Sequence, residues 1–211
     1  MENRVAKFEK VSLEQFEKDY ESFRKSIGSP YTKELAKVAY DNIVLPLRAT
    51  AGSSGYDFRI PFDLDWVDWE TYSIPTGVRC EIVPGWMLML MPKSGLSLKH
   101  YTRFINTVGN VDSDYYGAEN EGHIIVGLRM EKVGNTKGVL VKSNETFKFV
   151  AGQKIVQGVF LPHGITLDDE AKGIRVGGYG STGLQEKRCF IYLKRLGYLE
   201  TRALLVLLTI F

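Results

Sequence analysis

Asp112 lies in a turn-rich run from Asn106 to Tyr115, with a second carboxylate, Asp114, two residues on. A free aspartate titrates near about 3.9, so Asp112 is ionised at neutral pH, a ready hydrogen-bond acceptor and a weak base. Upstream, Pro92-Lys-Ser-Gly-Leu96 has the makings of a turn in which the Ser94 hydroxyl and the N–H groups around Gly95 face an anion. Backbone nests of this kind bind phosphate oxygens. Lys93, Lys154 and Arg175 can add positive charge. Gly177, Gly178, Gly180 and Gly183 form a pliable arm whose backbone can wrap a ligand, with Ser181 and Thr182 supplying hydroxyls. Together these groups suit work on a polyphosphate, where positioning and charge do most of the catalysis. No His/Cys/Asp cluster has the spacing of a metal cage. His100, His123 and His163 lie in unrelated contexts and read as ordinary core or surface residues.

Such groups need a scaffold. Before residue 40 the pattern is helical. Ser12 and Gln15 form a capping-box pair, Val11 and Phe16 a hydrophobic staple. Leu13, Phe16, Tyr20, Phe23 and Ile27 then recur at spacings of three and four, which places them on one helix face. Gly28 and Pro30 stop this helix, and a weaker one runs from about Lys33 to Tyr40. The apolar face predicts an accessory helix packed on the main domain. From about residue 42 short β-rich runs follow, at 43–47, 56–60, 78–83, 86–91, 124–130, 146–150 and 155–161, separated by Gly, Pro, Asn and Asp. Many short strands with turn signals between them predict an all-β sandwich or jelly roll. The expected divisions are a helical extension over 1–40, a core over 41–170, an arm over 171–183 and a tail over 184–211.

Bulk properties exclude several classes of function. The net charge of +2 over 211 residues gives no general pull toward nucleic acid or anionic lipid. Two cysteines, Cys80 and Cys189, cannot build a disulfide framework or a four-ligand zinc site. The first twenty residues are threaded with charge, unlike a signal peptide. The longest apolar stretch, 203–211, is about half of what a bilayer span needs. The expectation is a soluble, cytoplasmic protein with reduced thiols and no membrane or nucleic-acid partner.

Five short motifs occur in order. Leu45-Pro-Leu-Arg-Ala-Thr-Ala-Gly-Ser-Ser-Gly-Tyr-Asp57 is followed by Pro92-Lys-Ser-Gly-Leu96 and Asn106-Thr-Val-Gly-Asn-Val-Asp-Ser-Asp-Tyr115. Gly152-Gln-Lys-Ile-Val-Gln157 and Arg175-Val-Gly-Gly-Tyr-Gly-Ser-Thr-Gly183 complete the set. In this order and spacing they resemble the homotrimeric dUTPase family. The resemblance implies a β-clip jelly-roll subunit in a trimer, with active sites shared between subunits and the fifth motif lent by a neighbour.

It also implies roles. Asp112 holds the water that attacks the α-phosphorus of dUTP. Backbone groups of Val108 and Gly109, with the Asn106 amide, pair with the uracil edge. Tyr115 packs on the deoxyribose and refuses a 2′-hydroxyl, and Tyr179 closes over the base. Lys93, Ser94, Gly95, Lys154, Gln157, Arg175, Gly180, Ser181 and Thr182 contact the phosphates. Mg²⁺ arrives on the substrate's phosphates and waters. Asp114 and Asp57 read as architectural.

Four features depart from the family pattern. Lys93 and Lys154 stand where arginine is usual, which keeps the charge but loses the bidentate fork. Asn110 stands where an apolar residue is common. The run after Tyr115 is long, and Arg175 lies one residue closer to its Gly-Gly pair than in many relatives. The competing readings are a catalytically weak, nucleotide-binding regulatory protein and a dCTP deaminase on the same fold.

Overall fold

The computed structural model describes residues 4–131, 133–136, 139–142 and 145–178. Its elements in chain order are β1 (Ala6–Lys10), α1 (Leu13–Ser26), α2 (Lys33–Asp41), β2 (Leu47–Arg48), β3 (Tyr56–Arg59), β4 (Leu64–Val67) and β5 (Thr71–Pro75). Next come β6 (Val78–Ile82), β7 (Trp86–Pro92), α3 (Ser94–His100), β8 (Arg103–Phe104), β9 (Gly109–Val111) and a 3₁₀ turn (Ser113–Gly117). The last are β10 (Ile125–Arg129), β11 (Val133–Thr136), β12 (Val139–Lys142), β13 (Thr146–Phe149) and β14 (Lys154–Pro162).

The strands carry the period-two pattern of a sheet with one buried face. Along β7, Leu88 and Leu90 are buried while Met87, Met89 and Met91, which alternate with them, are partly open. Along β4, Leu64 and Trp66 point inward and Asp65 and Val67 outward. The largest sheet has the order β2-β3-β14-β7-β9; β5-β10-β8 form a second, and β1-β6, β4-β13 and β11-β12 pair separately. Inward side chains from these groups, among them Phe58, Leu88, Val156, Ile74, Val126 and Trp66, join one core. The fold is a β-rich jelly roll, as the turn-punctuated runs predict.

The long helix also lies where its spacing places it. Phe16, Tyr20 and Phe23 are buried, and Tyr20 and Phe23 pack on Phe62 with ring centroids 4.9 and 5.2 Å apart. Full burial of such side chains contributes about 1.5–3 kcal/mol each, so α1 is part of the core.

Three local expectations are corrected. Residues 6–10 are not helical: they form β1, antiparallel to β6, with Phe8 set among Tyr56, Phe58 and Phe160. The open edge of β6 overrides the local charge pattern. The strand expected over 43–47 shrinks to Leu47–Arg48, because Pro46 has no N–H for a ladder. Only half of the capping box closes. Ser12 Oγ accepts from Gln15 N–H, but the Gln15 side chain donates to Asp19, and the Ser12 N–H donates to Glu121 at 2.7 Å.

Cys80 is a buried free thiol whose pKa burial pushes up to about 12. Among the described residues no helix is long and apolar enough to cross a membrane. Cys189 and the tail over 184–211 lie outside the described residues.

Candidate active site

The predicted site residues gather at two places on the large sheet. The first is where β3, β14 and the end of β7 meet. Asp57 on β3 is buried and receives Lys93 Nζ at 2.5 Å and Lys154 Nζ at 2.7 Å. Burial pushes the Asp57 carboxyl up, but the hydrogen bonds and charges of the two lysines outweigh it and hold the pKa below the usual carboxylate value. Both cations of this corner therefore already share one anion, leaving a net charge of +1. Gln157 pairs in register with Asp57 on one side and Met91 on the other. Its Oε1 lies 3.1 Å from where a Cβ on Gly55 would stand, so the first and fourth motifs touch here.

Lys93 caps the short helix α3, and Ser94 and Gly95 form its first turn. The second motif is thus a helix start rather than a free turn. First-turn N–H groups have no acceptor inside a helix, so those of Ser94 and Gly95 are available to an anion beside the two lysines.

The second place lies on β9 and the turn after it. There β9 runs antiparallel to β7, with Gly109 opposite Leu90 and Val111 opposite Leu88. The hairpin before it is tight: Thr107 has φ of +70°, and the Val108 N–H donates to the Asn106 carbonyl at 2.8 Å. That donor is spent inside the turn, which leaves the exposed Asn106 side chain as the freer of the two for a ligand. Asp112 follows β9 and caps the 3₁₀ turn in an extended conformation. Its side chain is half open, at 50% exposure. Asn110 Nδ2 donates to Asp112 Oδ1 at 2.9 Å and fixes the carboxylate from behind.

Tyr115, by contrast, is sunk to 1% exposure. Its hydroxyl donates to the His123 carbonyl at 2.8 Å and accepts from Asn120 Nδ2 at 2.7 Å. Burial raises its pKa above the ordinary tyrosine value. Arg175 covers this corner. Its guanidinium lies 4.7 Å from the centre of the Tyr115 ring and donates to Asp112 Oδ2 at 3.0 Å and to Asp114 Oδ1 at 3.3 Å. The sequence groups Arg175 with the phosphate contacts; the structure sets it on the two carboxylates instead. The arm is further tied down where the Glu119 N–H donates to the Val176 carbonyl. Tyr179, Gly180, Ser181 and Thr182 lie outside the described residues.

Asp112 and the two lysines sit apart along β7. Val111 faces Leu88, five residues before Lys93, which at about 3.3 Å per residue is about 16 Å along the strand. Sequence reasoning missed three residues: Asn110 as the group that orients Asp112, and Asn120 and His123 as anchors of Tyr115. Asn110 carried a signal, a polar residue where an apolar one is common. Asn120 lies in the long run after Tyr115, and nothing local distinguishes His123.

A family model for dUTPase matches residues 41–183. The deoxyuridine 5'-triphosphate nucleotidohydrolase of Lactococcus lactis subsp. lactis (strain IL1403) is 34% identical over 144 residues, covering 67% of this chain and 89% of the relative. That of Hahella chejuensis (strain KCTC 2396) is 36% identical over 163 residues, covering 72% and 94%. Among solved structures, dUTPase from Streptococcus mutans superposes with a TM-score of 0.50 at 31% identity, covering 60% of this chain and 90% of that one.

Proposed function

The chain belongs to the dUTPase family, and we propose that it hydrolyses dUTP to dUMP and pyrophosphate at a site completed by more than one subunit. The observation that carries the reaction is Asp112: a half-open carboxylate, aimed by Asn110, above a buried and doubly anchored tyrosine.

Asp112 accepts a hydrogen bond from a water molecule and aligns it with the α-phosphorus. The water oxygen bonds to phosphorus as the bond to the α,β-bridging oxygen breaks, pyrophosphate leaves, and the water's proton passes late to Asp112 and solvent. Alignment supplies more than basicity here, because an aspartate is a weak base at neutral pH. Ser94 and Gly95 N–H groups, with Lys93 and Lys154, cradle the phosphates, and Gln157 lies beside them. Asn106, Val108 and Gly109 face the uracil edge. A base with the reversed donor–acceptor pattern leaves polar groups unpaired and is refused. Tyr115 lies under the deoxyribose. Because Arg175 covers both Tyr115 and Asp112, substrate entry displaces its guanidinium toward the phosphates. Tyr179, Gly180, Ser181 and Thr182 then close the arm over the nucleotide.

The described residues hold no group of three or more His, Cys, Asp or Glu that could hold a metal, and Asp57 is taken up by two lysines. Mg²⁺ would ride on the substrate phosphates and water, its preferred hard-oxygen ligands, and would supply charge neutralisation there.

By strand register the backbone at Lys93 and that at Val111, just before the catalytic carboxylate, lie about 16 Å apart, a long reach for one triphosphate's reacting end. A cradle from one chain and an Asp112 from another solve this, in keeping with a homotrimer. The test is pyrophosphate release with Mg²⁺ from dUTP, dCTP, dTTP and UTP, beside an Asp112→Asn variant. Release from dUTP alone, lowered about 10²–10⁴-fold in the variant, is the expected result. No release with dUTP still bound would move the protein to a regulatory role.

A further inference from the structure

The helix that precedes the family region is wired to the sugar-facing tyrosine. His123 is fully buried, and its ring is held at both nitrogens: the Gly77 N–H donates to Nε2 at 2.8 Å, and Nδ1 lies 2.6 Å from Asp19 Oδ2 on α1. With Nε2 accepting, the ring proton sits on Nδ1 and is donated to Asp19. Gln15, one turn earlier, donates to the same Asp19 oxygen at 2.7 Å and fixes it. The backbone carbonyl of His123 is in turn the acceptor for the Tyr115 hydroxyl. The loop between these residues is stitched to the same segment. Glu121 takes both the N–H and the hydroxyl of Ser12, at 2.7 and 2.6 Å, and the Tyr116 hydroxyl donates to Glu9 at 2.6 Å. Gly122 turns this loop at φ of +67°, so close under Tyr115 that a Cβ would stand 2.7 Å from the Tyr115 carbonyl oxygen.

We propose that Asp19, acting through His123, is a positioning residue for Tyr115, so that α1 sets how strictly the site refuses a ribose. The Tyr115 hydroxyl is bonded to partners in the loop that α1 grips, namely the His123 carbonyl and Asn120. When Asp19 no longer holds the His123 ring, the carbonyl two bonds along its backbone shifts. The phenol then loses the fixed position that leaves no room for a 2′-hydroxyl. Interactions with dUTP at the base hairpin and the phosphates do not pass through this chain of bonds.

The inference rests on the reading of Tyr115 as the sugar-facing ring, and the experiment separates the two. The ratio of kcat/KM for dUTP to that for UTP is measured in the full chain for Asp19→Ala, Asp19→Asn, Phe23→Leu and Tyr115→Ala. Asp19→Ala is expected to lower the ratio about five- to tenfold, less than the roughly 10²-fold cost of a full 1 Å misplacement, mostly through better use of UTP. Asp19→Asn keeps an oxygen acceptor for His123 and restores most of the ratio. Phe23→Leu loosens the same helix against Phe62 without touching this pair and leaves the ratio unchanged. If Asp19→Ala does not fold, Asp19→Glu, which pushes the carboxylate out of register, carries the same expectation. An unchanged ratio in the Asp19 variants, or an equal fall in Phe23→Leu, overturns the proposal while a fall in Tyr115→Ala keeps the sugar reading. An unchanged ratio in Tyr115→Ala overturns both.

Discussion

At one end of β7, Lys93 and Lys154 are gathered on Asp57 by charge, on flexible stems that reach toward water. At the other end of the candidate site, Tyr115 is buried, bonded at its hydroxyl from two sides, and backed by a helix. The contrast matches what each end would recognise on the proposed reading of the site. Phosphate oxygens are bound through charge, which tolerates small movements of its source. The absence of one hydroxyl is read through shape, which tolerates none. The phosphate end can therefore be soft and the sugar end must be stiff.

The contrast is broken most severely by removing what stiffens the sugar end. Phe16 is fully buried on α1, stacked on Tyr20 at 5.6 Å and tilted against the His123 ring at 6.2 Å. Phe16→Ala is expected to cost about 3–5 kcal/mol, read by urea unfolding. At the phosphate end, Asp57→Asn leaves two lysines without their shared anion. The expected cost is about 1–3 kcal/mol, below the full penalty for splitting a buried pair, because each ammonium can turn toward water. If Asp57→Asn proves the costlier change, the phosphate end is the stiffer one and the contrast is reversed.

A smaller effect sharpens the comparison in acid. Hydrogen bonds from Lys7, then Tyr116 and Arg79, hold Glu9 down to about 2 against an ordinary value of 4.5. A carboxyl depressed on folding contributes stability that is present above the unfolded pKa and lost as pH falls through the folded one. The wild-type Tm is therefore expected to fall more steeply between pH 4.5 and 2 than that of Glu9→Gln, with the two differing least at the acid end. Parallel curves would show that Glu9 does not help to hold the loop after Tyr115.

The stiff end was also the harder one to read from sequence. Helix α1 announces itself through the spacing of Phe16, Tyr20 and Phe23, and the cradle through a Lys-Ser-Gly run, since both signals are local. Strand β1 does not, because residues 6–10 become a strand only against β6. Strands β4 and β5 were missed as well; each buries only two or three side chains and offers too short an alternation to register. The anchors of Tyr115 are single polar residues whose meaning comes from distant partners. Asp19 and His123 are 104 positions apart, and Ser12 and Glu121 are 109 apart. No window along the chain contains both members of either pair. Asn110 lay within reach, two residues from Asp112, but a polar side chain in a hairpin reads first as a turn residue.

The distance between those partners also has a meaning in time. During synthesis Asp19 on α1 leaves the ribosome before His123, which follows 104 residues later, about 5–20 s at ordinary elongation rates of about 5–20 residues per second. Through that interval the aromatic stripe of α1 has Phe62 to lean on, but not the loop that will hold its N-terminus. Helix α1 is thus made well before it is finished, and the nascent chain carries a greasy helix that chaperones can grasp until the loop around His123 closes over it.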